Sequence, residues 1–287
     1  MMSTAIPFPS HVGVIGGGRM GGGIAHAFLM AGSRVTVIER EPIAAAAARE
    51  RIEASVAKSI ERGATDANLD EVVQRLEVEI DYGALTKSNL VVEAVFEDFD
   101  AKVEALRSAE QVIAADAVLA SNTSSISLAT LAENLSRPAQ FLGLHFFNPV
   151  PASTLIEVVI APQTRPDVAS CAPSWVEQLG KTPVVVKDSP GFASSRLGVA
   201  IALEAMRMVE EGVASAQDID AAMELGYKHP AGPLKTTDIV GLDVRLGIAE
   251  YLAEHLDERF EPPQILRDKV ARGELGRKSG KGFYDWE

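Results

Sequence analysis

Hydrophobic residues in the first two-thirds of the chain fall in short runs of strand length, at 11–15, 34–38, 78–80, 90–95, 118–121, 141–146, 155–160 and 183–186. Between several of them lie longer helical stretches, at 24–30, 99–114 and 166–180. Short apolar runs bounded by turn residues read as strands, and longer periodic stretches as helices. Their alternation predicts a mainly parallel sheet covered by helices on both faces. Beyond the turn Lys187-Asp-Ser-Pro-Gly191 the strand signal is lost. Val244, Ile248, Tyr251, Leu252 and Leu256 line one helix face there. The stretch 197–209 carries only Glu204 and Arg207 as charges. A helix so apolar is expected to be buried all round, within its domain or against a partner subunit. The expected fold class is α/β: a Rossmann-type dinucleotide-binding domain over 1–187, then an all-α dimerisation domain over 188–287.

The first run enters Gly16-Gly-Gly18-Arg-Met20-Gly21 and a helical stretch follows. Strand, glycine turn and helix stand in the order of a dinucleotide fingerprint. Gly16 allows the tight turn, Gly18 lets backbone approach a pyrophosphate, and Gly21 lets helix and strand pack closely. With Met20 beside them, these are the candidate cofactor-binding positions of the turn, and N–H groups of the first helical turn face the phosphates. The second run ends in Glu39, 23 residues after Gly16, where an acidic side chain binds the adenosine ribose hydroxyls. Arg40 is a residue that can accept a 2′-phosphate. Glu39 would repel that group, so NAD is favoured over NADP.

Residues 143–159 contain the ends of two apolar runs joined by a proline-broken corner, Asn148-Pro-Val-Pro. Such a corner can fold the runs back on each other and bring His145 to Glu157, twelve positions away. A carboxylate on one ring nitrogen fixes the tautomer and favours the imidazolium, as a general acid/base requires. The same pair also fits a satisfied core histidine and an edge-strand glutamate. Of the five histidines, only His145 lies near a strand end with a nearby carboxylate: His11 opens a strand, His26 and His255 sit in helices, and His229 precedes a proline. Glu93 and Glu97 close the fourth run and Ser121-Asn-Thr-Ser124-Ser125 closes the fifth. Ligands of such sheets bind at these carboxyl ends, although a polar cluster after a strand is often only a loop and helix cap. The alanine-rich stretch 42–63 reads as a solvated helix with Pro42 in its first turn.

Composition narrows the function. At 287 residues, 47% hydrophobic and 23% charged, the chain has the make-up of a soluble globular protein of one or two domains. A net charge of −13 without an offsetting basic stretch argues against nucleic-acid binding. It also requires phosphorylated ligands to be held by local devices. Cys171 is the only cysteine, which leaves no disulfide framework or Cys-rich zinc site, and no metal is expected. No run is long enough for a membrane span and the first strand starts too early for a targeting segment. A cytoplasmic location is expected.

Together the segments resemble the 3-hydroxyacyl-CoA dehydrogenase family in its compact single-function form, over nearly the whole chain. The motifs are Gly-Val-Ile-Gly-Gly-Gly, Val-Val-Glu93-Ala-Val, Ser-Asn-Thr-Ser124-Ser, Leu-His145-Phe-Phe-Asn-Pro-Val-Pro, Asp-Ser-Pro-Gly-Phe192 and Leu-Gly-Arg-Lys278-Ser-Gly-Lys-Gly-Phe-Tyr. The resemblance implies NAD-dependent interconversion of an L-3-hydroxyacyl-CoA and a 3-oxoacyl-CoA, as in fatty-acid β-oxidation, by a homodimer joined through 188–287. It further implies that His145 takes the hydroxyl proton, that Glu157 steadies the imidazolium, and that Ser124 hydrogen-bonds the reacting oxygen. NAD contacts are implied at Glu39, Glu97, Lys102, Ser124, Asn148 and Lys278. Coenzyme A contacts are implied at Ser55, Arg62 and Ser124. Whether the acyl chain is 3-hydroxybutyryl or a dicarboxylic one such as 3-hydroxyadipyl stays open.

One position departs from the family. Three residues after Gly-Phe the family has asparagine and this chain has Ser195. A lost neutral hydrogen bond costs about 0.5–1.5 kcal/mol, and a lost oxyanion donor about 2.7–4 kcal/mol. Either slows the reaction without removing the His–Glu chemistry. The departure leaves room for a dehydrogenase of non-CoA hydroxy acids such as L-gulonate. A non-catalytic NAD-binding protein is the other alternative, and it has no need of an acid/base pair. Ser195→Asn is expected to keep or raise turnover; a collapse with the fold preserved would show that the serine has a role of its own.

Overall fold

The structure, a computed structural model, describes residues 6–286. It divides into two compact units, one running to Asp188 and one beginning at Ser189.

The first unit opens with β1 (His11–Ile15), α1 (Arg19–Met30), β2 (Arg34–Ile38), α2 (Pro42–Glu61), α3 (Leu69–Val73) and β3 (Leu76–Glu79). It continues through β4 (Leu90–Glu93), α4 (Phe99–Val112), β5 (Val118–Ser121), α5 (Leu128–Ala132) and β6 (Phe141–Phe146). The unit closes with β7 (Leu155–Ile160), α6 (Pro166–Gln178) and β8 (Thr182–Lys187). The eight strands form one sheet in the order β3-β2-β1-β4-β5-β6-β7-β8. Neighbours run parallel except β6 and β7, which pair antiparallel. Every residue of β4, β5 and β6 is buried, which is why these strands read as unbroken apolar runs rather than alternating ones.

Two boundaries differ from the sequence reading in ways that matter to ligand binding. Helix α1 begins at Arg19, directly on the glycine turn rather than at 24. Three glycines in its first turns hide the apolar periodicity that marks the rest. Strand β4 stops at Glu93, so the segment 94–97 leaves the sheet and carries Glu97 past the strand end.

The second unit is helical: α7 (Ser194–Glu210), α8 (Ala216–Tyr227), α9 (Pro233–Val240), α10 (Leu242–His255) and α11 (Gln264–Ala271). Its core gathers Val199, Leu203, Met206, Leu234, Leu252 and Leu266 among others. The expectation that 197–209 is buried all round is not met within the chain, because Leu197 is 64% and Ile201 38% exposed. Apolar composition alone does not tell a core stripe from a second apolar face. Val244, placed on the buried face of α10 by periodicity, is likewise 42% exposed.

The glycine-rich tail docks on one buried carboxylate. Asp238, fully buried in α9, accepts Phe283 N at 2.9 Å, Tyr284 N at 2.9 Å and Trp286 Nε1 at 2.8 Å. Tyr284 Oη donates to Asp220 at 2.7 Å. A Cβ on Gly282 would stand 2.2 Å from Asp238 Oδ1, so the tail reaches this carboxylate only without a side chain there. Asp238→Ala leaves donors unsatisfied at about 1–3 kcal/mol each. It is expected to lower the thermal midpoint and expose the tail to protease; an unchanged midpoint would show that other contacts hold the tail.

Candidate active site

The carboxyl ends of β1, β2, β4, β5 and β6 gather most of the chemistry-bearing residues of the first unit. At the glycine turn, Gly16 has φ +91°, a conformation open to glycine at little cost, and its N–H bonds Ile38 O at 2.8 Å. A Cβ on Gly21 would lie 1.7 Å from Gly16 O, so α1 packs on the turn only as glycine. Gly18 is exposed, with nothing within 4 Å of where its Cβ would be. Met20 packs its side chain against the core of the sheet. Glu39 Oε1 accepts Gly17 N at 2.7 Å, and Arg51 Nη1 donates to Gly17 O at 2.6 Å. The Gly17 peptide is thus clamped on both sides, a role for Arg51 that no sequence pattern signalled. Arg40 turns outward, 84% exposed on its side chain and 3.8 Å from Glu41. A helix N-terminus approached by bare backbone, with a carboxylate at the next strand end, fits a dinucleotide whose ribose hydroxyls are unmodified.

Beside it lies a cluster built on two glutamates and one lysine. Glu93, fully buried at the end of β4, accepts Ser121 Oγ at 2.5 Å, Val95 N at 2.8 Å and Lys102 Nζ at 2.8 Å. Lys102, reaching up from α4, also meets Glu97 Oε2 at 3.2 Å and Val95 O at 3.3 Å. Glu97 Oε1 accepts Thr123 Oγ1 at 2.6 Å and Ser124 N at 2.9 Å, with Ser124 Oγ at 3.2 Å and Ser125 Oγ at 3.1 Å. Crowding by neighbouring atoms works against ionisation of Glu97. The Lys102 ammonium and the hydrogen bonds from Thr123 and Ser124 outweigh it and hold the carboxyl below its ordinary value. The lysine, expected as a direct cofactor contact, is 1% exposed with its three protons engaged. Its ammonium holds Glu93 and Glu97 from inside the fold. Its place in the middle of an otherwise ordinary helical stretch gave no sign of this.

His145 and Glu157 are register partners in the antiparallel β6–β7 ladder. Nδ1–H donates to Glu157 Oε2 at 2.8 Å, with the histidine 6% and the glutamate 1% exposed. This bond fixes the tautomer and places the ring's basic lone pair on Nε2. The Phe147 ring lies against the imidazole, centroids 4.4 Å apart. Ser121 pairs with Gly143 across β5 and β6, so the 123–125 turn and His145 share one edge of the sheet. Asn122 ties them by accepting Phe146 N at 2.8 Å. The corner between the strands, with Asn148 exposed before a cis Pro149, is held from two sides. Lys181 Nζ donates to Val150 O at 2.7 Å and to Ser153 O, and Val150 sits where a Cβ on Gly23 would fall. His26 is no rival as an acid/base. Its Nε2 meets Ser59 Oγ at 2.8 Å between α1 and α2, and burial, with Lys181 adding to it, pushes it down to about 4.

The other expected residues stand on other elements. Ser55 is half-buried on α2 and Arg62 exposed at its C-terminal end, seven positions on and therefore on the same helix face. In the helical unit, Ser195 is half-buried in the first turn of α7 and Lys278 pairs with Asp243 at 2.6 Å.

This arrangement is that of an NAD-dependent oxidoreductase, and comparison with known proteins places it. The 3-hydroxyacyl-CoA dehydrogenase NAD binding domain matches residues 11–189 and the 3-hydroxyacyl-CoA dehydrogenase C-terminal domain matches 191–286. The chain is 41% identical over 275 residues to a probable 3-hydroxybutyryl-CoA dehydrogenase of Deinococcus radiodurans, covering 96% of this chain and 99% of that protein. Its fold matches the (S)-3-hydroxybutyryl-CoA dehydrogenase of Ralstonia eutropha with a TM-score of 0.92 at 36% identity, over 97% of this chain and 99% of that one. It matches M. tuberculosis FadB2 with a TM-score of 0.93 at 39% identity, over 98% and 100%. The chain belongs to the 3-hydroxyacyl-CoA dehydrogenase family.

Proposed function

We propose that the protein interconverts a short-chain L-3-hydroxyacyl-CoA and the corresponding 3-oxoacyl-CoA. The observation that carries this reading is the buried His145–Glu157 hydrogen bond, on the sheet edge shared with the 123–125 turn. In the oxidative direction His145 Nε2 takes the proton of the substrate hydroxyl, and the Glu157 carboxylate stabilises the imidazolium that forms. The Ser124 hydroxyl hydrogen-bonds the same oxygen, as alcohol or as ketone, and Ser195 is the second candidate donor. NAD, when bound, supplies acceptance of the hydride from C3. Gly16, Gly18, Met20 and Gly21 line its pyrophosphate site, Glu39 binds its ribose hydroxyls, and Glu97, Asn148 and Lys278 are the further contacts. Ser55 and Arg62 hold the coenzyme A, and Arg62 gives an acidic chain a local cation for its phosphates.

We assign the first unit to cofactor binding and the helical unit to the substrate cleft and dimerisation. Leu197, Ile201, Leu225, Tyr227 and Val244 leave that unit a set of exposed apolar side chains suited to a second copy. Among the described residues no helix is long and apolar enough to cross a membrane, and we take the cytoplasm as the site of action.

Purified protein is expected to oxidise NADH when given acetoacetyl-CoA. His145→Gln should lower turnover by about 10²–10⁴-fold while NADH still binds, as read by its fluorescence. Full turnover by the variant would remove His145 from the chemistry. Inertness of the wild type toward acyl-CoA esters, with oxidation of L-gulonate, would move the substrate outside the CoA class.

A further inference from the structure

Among the described residues of the helical unit, Arg245 stands out as a buried cation with no carboxylate paired to it. It lies on α10 facing α7, 7% exposed, and burial pushes its guanidinium down to about 10. Arginine is rarely this buried unless paired, because the charge gives up hydration that a partner must replace. Here the partner is missing. Nε is sealed from solvent without a hydrogen bond, and no carboxylate among the described residues forms an ion pair with the side chain. Asp243, two positions away, is engaged by Lys278. Room for the guanidinium is provided by Gly198, where a Cβ would stand 3.1 Å from Nη1. Gly198 is three residues after Ser195, hence on the same face of α7 and about 5–6 Å along it. The buried cation therefore lies one helical turn from the candidate donor to the reacting oxygen, a distance that a few methylenes span.

We propose that Arg245 is a specificity-determining residue that binds a carboxylate at the far end of the acyl chain, so that the preferred substrates are dicarboxylic 3-hydroxyacyl-CoA esters. The planar guanidinium matches a carboxylate in two parallel hydrogen bonds, and the substrate's charge supplies the counter-ion the fold omits. The proposal rests on the acyl-CoA reading above and names the substrate class within it.

The test compares 3-oxoadipyl-CoA with 3-oxohexanoyl-CoA, which differ in a terminal carboxylate against a methyl, in NADH-dependent reduction. The wild type is expected to favour the carboxylated ester by about 10- to 100-fold in kcat/KM, the effect of one charge-assisted contact. Arg245→Met keeps an unbranched, flexible side chain, shorter than the arginine, and removes an unpaired buried charge, so it is expected to fold with an equal or higher thermal midpoint. It should abolish the preference chiefly through KM for the carboxylated ester. Equal use of both esters by the wild type, or a ratio that survives Arg245→Met, would overturn the assignment. So would a variant whose ratio is unaltered but which sediments as a monomer, since that would give the guanidinium to a partner's carboxylate. Failure of the wild type on every 3-oxoacyl-CoA, acetoacetyl-CoA included, would instead overturn the functional reading on which the proposal rests.

Discussion

The antiparallel pairing of β7 on β6 is the constraint from which the site follows. Side chains alternate across a strand, so His145 meets Glu157 in one register only, and a slip of one residue sends the carboxylate to the opposite face. Several contacts of different kinds pin that register. Gly143 is crowded by Leu128 and Val159, each within 3 Å of where a Cβ would stand. Asn122 holds the end of β6 and Lys181 holds the corner. Val150 fills the notch above Gly23 in the helix that also opens the cofactor turn. The His–Glu pair and the glycine turn are thereby parts of one packed assembly, and displacement at either is felt at the other.

Electrostatics at this edge are arranged to let an acidic protein accept an anionic cofactor. Glu39, Glu93 and Glu97 all stand at strand ends, but each is already engaged by donors. Glu39 takes the Gly17 amide, Glu93 takes Ser121 and Lys102, and Glu97 takes the 123–125 turn. Their charge is partly offset by these backbone, hydroxyl and ammonium donors. Lys102 compensates two of them from inside the fold, where removal of one partner would leave an uncompensated buried charge.

Much of this architecture was legible before any coordinates. Strand runs, the glycine turn, Glu39 and the corner carrying His145 are local patterns whose physics is contained in a few adjacent residues. What stayed hidden depends on side-chain direction over long separations. Lys102 reads as one more charge on an amphipathic helix until Glu93 and Glu97 are brought over it. Asp238 reads as a polar residue of α9 until the tail, 45 positions and more away, places three donors on it. The exposed side of α7 finds no cover within the chain, because composition reports how apolar a helix is and not how many of its faces find neighbours there. Arg245 shows the same limit from the other direction, since a charged residue in a helical run gives no hint of being buried without a partner.

The continuity of 141–160 has a consequence for recombining this chain with its relatives. His145 and Glu157 travel on a single segment, while the glycine turn, Glu39 and Glu97 lie on distant ones. A crossover just before Phe141 therefore carries the pair intact into a hybrid chain, whereas one inside 147–154 separates it. The freedom is bounded by residues outside the segment: a glycine at 23 to admit Val150, a lysine at 181 to hold the corner, an asparagine at 122 to hold the end of β6 and a leucine at 128 against Gly143. Hybrids whose parents agree at those positions inherit the pair together with the geometry that sets it.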